Sequence, residues 1–434
     1  MRSAGFEAQL MRKVWRHCVP LLTATLFFNY LDRVNVGFAA LQMNRALNLT
    51  NTAFGVSAGV FAVGYALAAI PSTVLLHRVG ARRWLAFIVI AWGCCSAGTA
   101  FVRSAEGLAA ARLLLGLAEA GFAPGVILYF SLWFPSAYRG RVLSSFLFIQ
   151  PVALIIGAPL STGLLTATPI FGLQGWQSLF IIEALPTALL APLLLLLLTD
   201  RPTDAKWLGP EEQAWLTDRL ATEAVPMQAN GRAQAWWQAL RDGRVWLLAA
   251  VYLGIGTSGV GLVFFLPLMI RAIGFSVSAT GWVAAIPAIV GALALPLWGF
   301  WADRSPNRVR VIAASCVTIA VGATLTAISL PLPIAVLGLS IALSGFYGCT
   351  VTFWTLPPSF LAGSQAAAGL GLITIVGNLG SFTGPAILGR LADATHSYAT
   401  GLLVLAMLAM LAAGLLLTQS ARFTVSGTRH IAKV

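Results

Sequence analysis

A chain of 434 residues that is 58% hydrophobic and 9% charged, yet carries a formal net charge of +13, excludes most soluble folds. An ordinary soluble domain is about a quarter charged, so this apolar excess has no water-facing place to hide. The composition reads as an all-α polytopic membrane protein.

Apolar runs of about 20 residues, each long enough to cross a hydrocarbon core roughly 30 Å thick, recur along the chain. Twelve spans are predicted, near 19–41, 53–76, 84–102, 107–133, 142–166, 177–199, 245–270, 278–300, 309–330, 333–360, 366–391 and 398–419. The opening "MRSAGFEAQLMRKVWRHC" leads into the first span, where polar residues interrupt the run and no cleavage site follows, so an uncleaved span is expected.

The first span holds "FFNYLDRVNVGFAALQM", with Tyr30, Asp32 and Arg33 in its middle. Charges at the centre of a lipid-facing helix cost a few kcal/mol each (about 2.5–3.5). Asp32 and Arg33 lie about 100° apart on a helix, so they cannot face one another but can border one wet cavity. The second span contributes Tyr65 and ends in "PSTVLLHRVGARR", with His77, Arg78 and Arg82. The fourth holds Arg112 and Glu119, the fifth Gln150, and the sixth Glu183. Glu119 has two predicted partners: the shared cavity, or Arg112 seven residues earlier on the same face, which would make it structural. Arg112 and Glu183 read as structural charges.

Residues 199–244 form the longest hydrophilic stretch and divide the spans six and six. Within it "GPEEQAWLTDRL" has a proline at a helix start, acids in the first turn and Trp/Leu at helical spacing, predicting a short amphipathic surface helix. The expected organisation is an N-terminal six-helix bundle over 1–199, a linker over 200–244 and a C-terminal six-helix bundle over 245–434. Most Lys and Arg fall in the two tails and the loops that share their side, including the C-terminal tail; the other side holds Arg45, Arg103, Arg271 and Arg390. That asymmetry predicts a multi-pass protein of the cell (inner) membrane with both termini in the cytoplasm. It also assigns the basic balance to the lipid bilayer and not to nucleic acid.

The second half repeats the first. Pro71, Arg78 and Arg82 recur as Pro296, Arg304 and Arg308, and Pro135 recurs as Pro358. Parallel six-span repeats around a central cavity are a transporter architecture. The second half adds Asp303 beside Arg304, and Trp354, Thr374 and Asn378 at plausible cavity depth. Ala342 stands opposite Glu119, so the buried acids have no counterpart there. The five cysteines have no metal-ligand spacing and no nucleophile–base order appears, so neither a metal, a cofactor nor enzyme chemistry is expected.

The turn "PSTVLLHRVGARR" resembles the signature of the major facilitator superfamily. Within it the chain is similar to the anion:cation symporter family, in its tartrate, phthalate and hydroxyphenylacetate branch. The resemblance rests on "NYLDRVNVGFAAL", "LAEAGFAPGVILYFSLWFPSAYRGR", "GWQSLFIIEALP", "FWTLPPSFL", "GNLGSFTGP" and "LADATHSYATGL", in the family's order across both halves. Three positions depart: Pro71 replaces the signature's first glycine, His77 its acid, and Thr374 stands where many relatives carry asparagine. The resemblance implies the major facilitator fold and roles for its motif residues: Asp32 and Glu119 in proton coupling, and Arg33 in carboxylate binding. Tyr30, Tyr65 and Gln150 match substrate-contacting positions, and Trp354, Thr374 and Asn378 are candidates from the second half. His77, Arg78, Arg82, Asp303 and Arg304 fall at the cytoplasmic gate.

The residues support the same chemistry. Arg33 is always charged and offers a planar fork to a carboxylate. Asp32 and Glu119 are acids that a partly dry site makes protonatable. The expected function is a proton-coupled symporter importing a small organic carboxylate by alternating access, as a monomer with no cofactor. "CTVTFWTLP" is sparse in hydrogen-bonding groups, favouring a smaller or more apolar carboxylate over a sugar acid. The alternatives are a proton-driven antiporter exporting an organic compound, and a membrane carboxylate sensor, for which the central loop is too short to be an output domain.

Overall fold

The computed structural model describes residues 4–168, 172–223, 232–328, 332–361, 363–420 and 423. The basic C-terminal tail counted above (Arg422, Arg429 and Lys433) lies outside the described residues. The chain forms two compact units by contact: Met1–Leu47 with Val60–Pro226, and Asn48–Gly59 with Met227–Val434.

The first unit is built from α1 (Ala4–Ala46), most of α2 (Asn51–Val79), α3 (Ala81–Thr99), α4 (Ala105–Glu119), α5 (Phe122–Trp133), α6 (Ser136–Leu147), α7 (Ile149–Thr166), α8 (Gly175–Leu197) and α9 (Pro210–Glu223). The second holds the start of α2 and then α10 (Arg232–Arg241), α11 (Gly243–Ala272), α12 (Val277–Arg304), α13 (Arg308–Ile328), α14 (Leu332–Thr352), α15 (Gly363–Thr395) and α16 (Tyr398–Thr418). Among the described residues ten segments are long and apolar enough to cross a membrane. α1 and α3 fall outside that set because polar side chains dilute them: Asn29, Asp32, Arg33 and Asn35 in one, Arg82 and Arg83 in the other. Both pack against α8 inside the first unit. Large apolar side chains such as Leu189, Leu196, Trp282 and Leu297 remain exposed, as a lipid-facing surface requires.

Three departures from the expected spans bear most on the first unit and the linker. α1 starts well before residue 19 because Leu10, Met11, Val14 and Cys18 are buried in the first unit's core. Lys13 anchors this extension by a 2.6 Å ion pair to Glu212 of α9, the amphipathic helix of the linker. Second, the linker carries two helices: α9 begins at Pro210, with Glu211 and Glu212 in its first turn, while α10 packs on α15 in the second unit.

Third, the fourth span is interrupted. α4 ends at Glu119 and α5 begins at Phe122, with Gly121 between them at φ 96°. A side chain there would be strained, and its Cβ would stand 1.9 Å from the Ser72 hydroxyl. Residues 120–122 are buried, which is where irregular backbone at membrane depth is tolerated.

In the second unit α11 and α15 share the most extensive packing. A Cβ on Gly384 would lie 2.2 Å from the Thr257 carbonyl oxygen, so glycine is what allows the two backbones to touch. Asp393, near the end of α15, caps the start of α2. Its carboxylate accepts from the Asn51 and Thr52 backbone N–H groups at 3.0 and 2.7 Å and from their side chains at 2.9 and 2.6 Å. Those N–H groups are otherwise the orphan donors of a helix start.

Candidate substrate and proton site

The middle of α1 places four polar residues over little more than one turn. Asp32 is buried, and its Oδ1 accepts from Asn35 Nδ2 at 3.0 Å and from the Ser96 hydroxyl of α3. Its Oδ2 has no hydrogen-bond partner. Arg33, rotated from it about the helix, donates from Nε to Glu119 Oε2 at 2.8 Å. The two partners differ in access: the Arg33 side chain is 25% exposed and the Glu119 side chain 0%.

Aromatic rings frame the guanidinium. Its carbon lies 5.4 Å from the Tyr30 ring centre, 5.2 Å from that of Tyr65 and 5.1 Å from that of Phe61. Such rings hold a cation by their quadrupole while leaving its N–H fork available. Arg112 is fully buried with its own guanidinium carbon 5.0 Å from the far-shared Phe61 ring, and it lies within electrostatic reach of Asp32 and Glu119. Glu119 makes an ion pair with Arg33 at 2.8 Å, and Arg112 lies within electrostatic reach of the same carboxylate. A buried carboxylate at this depth needs such a partner to offset its lost hydration.

Asp32, Arg33, Glu119, Tyr30 and Tyr65 are thus brought together by α1, α2 and α4. Gln150, half-buried in the first turn of α7, joins none of these hydrogen bonds. Glu183 is buried on α8, where its Oε1 accepts from the Ser161 hydroxyl at 2.8 Å. In the second unit Trp354 meets the Tyr252 and Phe353 rings edge-on, with centroids 5.0 and 5.3 Å apart. The Thr374 hydroxyl donates back to the Leu370 carbonyl of its own helix at 2.8 Å, and Asn378 is half-buried one turn on. Among the gate residues, Arg78, Asp303 and Arg304 are exposed at helix ends, and Arg304 stacks over Phe300. The Arg82 backbone N–H donates to Asp200 at 2.9 Å. The His77 side chain lies outside the described residues.

Four participants escaped the sequence reading: Phe61, Asn35, Ser96 and Tyr252. Asn35 had a signal, since it follows Asp32 by three residues and so shares its face. Phe61 and Ser96 had none, because an apolar ring and a small hydroxyl in a span look like packing until their neighbours are known. Among the described residues no group of three or more His, Cys, Asp or Glu could hold a metal.

The arrangement can do two things. Arg33 can exchange one carboxylate for another, and the acid it releases must find a proton or stay buried and unpaired. Comparison with known proteins places the chain in a family. The description of the Major Facilitator Superfamily matches residues 22–385. A candidate tartrate transporter of Agrobacterium vitis is 39% identical over 94% of this chain and 90% of its own length. A quinolone resistance transporter of Acinetobacter baumannii is 36% identical over 95% of each chain. Among solved structures, a bacterial homologue of the human lysosomal transporter Spinster superposes with a TM-score of 0.77, covering 94% of this chain and 98% of that one at 20% identity.

Proposed function

The chain belongs to the major facilitator superfamily, and from that premise we propose that it is a proton-coupled symporter importing a small organic carboxylate by alternating access. Membership makes it a multi-pass membrane transporter and not an enzyme. The carboxylate class is supported by the candidate tartrate transporter, which is similar to it over nearly its whole length. Its place in the inner membrane with both termini cytoplasmic rests on the distribution of Lys and Arg.

One observation carries the mechanism: the 2.8 Å pair between partly accessible Arg33 and inaccessible Glu119. In the empty site Glu119 neutralises Arg33. An arriving carboxylate takes the fork, and Glu119, displaced in a dry setting, takes up a proton to avoid an unpaired buried charge. Anion and proton are thereby obliged to travel together. Asp32, held by Ser96 and Asn35 on the adjoining face, is the second acid within electrostatic reach. For a monoanion, one proton makes the cycle electroneutral; a second imports one positive charge, worth about 2.3 kcal/mol per 100 mV.

The test is purified protein in proteoliposomes with labelled tartrate as probe. Symport expects tartrate to accumulate when the outside is acidified, and a protonophore to abolish the accumulation. The similarity to a quinolone resistance transporter favours a second reading, proton-driven export. It expects the opposite sign: substrate moves against the imposed proton gradient, and acidifying the outside drives no accumulation.

A further inference from the structure

Among the described residues Phe61 is a ring that two guanidiniums share. The Arg33 carbon stands 5.1 Å from its centre and the Arg112 carbon 5.0 Å. Both fall inside the range, about 6 Å, over which the negative face of a ring attracts a cation. Two like charges drawn to one ring also repel each other, more strongly in a dry setting than in water. Arg112 is fully buried, whereas the Arg33 side chain is 25% exposed. Repulsion would therefore drive Arg33, and not Arg112, toward water.

The ring is fixed from behind. α2 and α4 touch backbone to backbone at this level. A Cβ on Gly116 would stand 2.1 Å from the Phe61 carbonyl oxygen, and one on Gly64 would stand 2.3 Å from the Leu113 carbonyl oxygen. Gly116 follows Arg112 by four residues and precedes Glu119 by three, so the contact ties Phe61 to the face of α4 that carries both charges. Phe61 is itself buried, and Tyr65, one turn on, packs with its ring centre 6.1 Å away. A ring placed by such close backbone contact, in a packed interior, has little room to follow a moving partner.

That fixed position matters when the partners of Arg33 change. In the empty site the guanidinium has both Glu119 and its rings. When a substrate carboxylate takes the fork and Glu119 lets go, the rings are what remains to hold the plane. We propose that Phe61 is a positioning residue, whose ring face holds Arg33 against the repulsion of Arg112 while one carboxylate replaces another. The inference rests on the carboxylate reading above, and it gives an apolar core side chain an electrostatic task. As packing alone, Phe61 would act through its size; as a holder of cations, it acts through the charge on its face.

Replacing Phe61 in the full chain by mono-, di- and trifluorophenylalanine separates the two, because fluorine draws charge off the ring face in steps while nearly keeping its outline. Two quantities are read on the purified protein. One is tartrate affinity by calorimetry. The other, taken without substrate, is the rate at which phenylglyoxal, a reagent for accessible arginines, modifies Arg33, followed by peptide mass spectrometry. Affinity should fall with each fluorine, by about fivefold at the trifluoro ring. Modification should quicken in the same order. Phe61→Tyr, which keeps a ring face, should lose less than Phe61→Leu, which keeps only apolar bulk. If Phe61→Leu fails to insert, the fluorinated series decides alone. A flat modification rate across that series, or a graded rate with tartrate affinity unchanged, overturns the proposal and leaves Phe61 as packing. A graded rate in a protein that binds no tartrate at all overturns the reading of tartrate as substrate and leaves the positioning role standing.

Discussion

At the scale of single residues the site turns on what Arg33 can do that lysine cannot. Its Nε is committed to Glu119 while three rings within about 5.5 Å hold the guanidinium plane. A carboxylate arriving in that plane meets a fork, whereas an ammonium is a strongly hydrated point charge that rings of this spacing would not orient. Arg33→Lys is expected to weaken tartrate binding at least about tenfold, the loss of one charge-assisted hydrogen bond. Isothermal calorimetry on the purified protein would check it, and an unchanged affinity removes Arg33 from the substrate site. Glu119→Gln acts on the other partner. An amide cannot release or take the coupling proton, yet it leaves the fork free, so exchange of labelled for unlabelled tartrate should persist. Accumulation driven by an acid exterior should fall close to the equilibrium level. Full accumulation in that variant would make the pair with Arg33 a structural brace. The sequence showed these charges because ionisable residues inside apolar runs are conspicuous. It could not show that Phe61 lies between two guanidiniums, since no pattern distinguishes a ring that holds cations from one that fills space.

Elements were legible where a run was long and closed by obvious punctuation. α12 and α16 begin at Ser276 and Ser397, whose hydroxyls cap them, close to the expected span edges. The failures lay where tertiary contact overrides local pattern. Nothing in "MRKVWRHC" marks a helix that will bury Met11, Val14 and Cys18, because the contacts that hold it include distant ones such as Tyr129 against Cys18 and Glu212 against Lys13. The break after Glu119 was similarly hidden inside "AEAGFAPG", where no polar turn marks the end of a helix. It matters to the site, since it ends α4 at the very residue that pairs with Arg33. Gly121→Ala places a Cβ at φ 96° and against Ser72. Left-handed backbone costs a residue with a side chain roughly 1–2 kcal/mol before any clash is counted. The variant should therefore unfold at a lower temperature in detergent, by several degrees in a tryptophan-fluorescence melt. A melt identical to wild type would mean that the break relaxes freely and that its geometry is not imposed by glycine.

At the scale of the whole molecule, the two halves repeat in sequence but not in charge. Pro71 and Pro296, Arg78 and Arg304, and Pro135 and Pro358 keep their places, while Glu119 becomes Ala342. From residue 245 onward the only acids in the chain are Asp303 and Asp393. Asp303 is exposed at the end of α12, and Asp393 is fully engaged in capping the start of α2. Asp303 has Arg304 beside it but is exposed, and Asp393 is spent on the helix start, so on the proposed mechanism the trade of anion for proton would fall to the first half. On the proposed mechanism the first half would carry the charge exchange, with Trp354 and Asn378 of the second half as the candidates for further substrate contact. The proton-to-tartrate ratio, read from a pH-sensitive dye alongside labelled tartrate in one vesicle preparation, should be the same in Asp303→Asn and Asp393→Asn as in wild type. The Asp393 variant should nevertheless transport at a different rate, because an amide caps the helix start without the charge that favours it. Glu119→Gln in the same assay should lower the ratio. A lower ratio in either second-half variant would place a coupling proton outside the first unit, and the exchange at Arg33 would no longer suffice to explain how anion and proton move together.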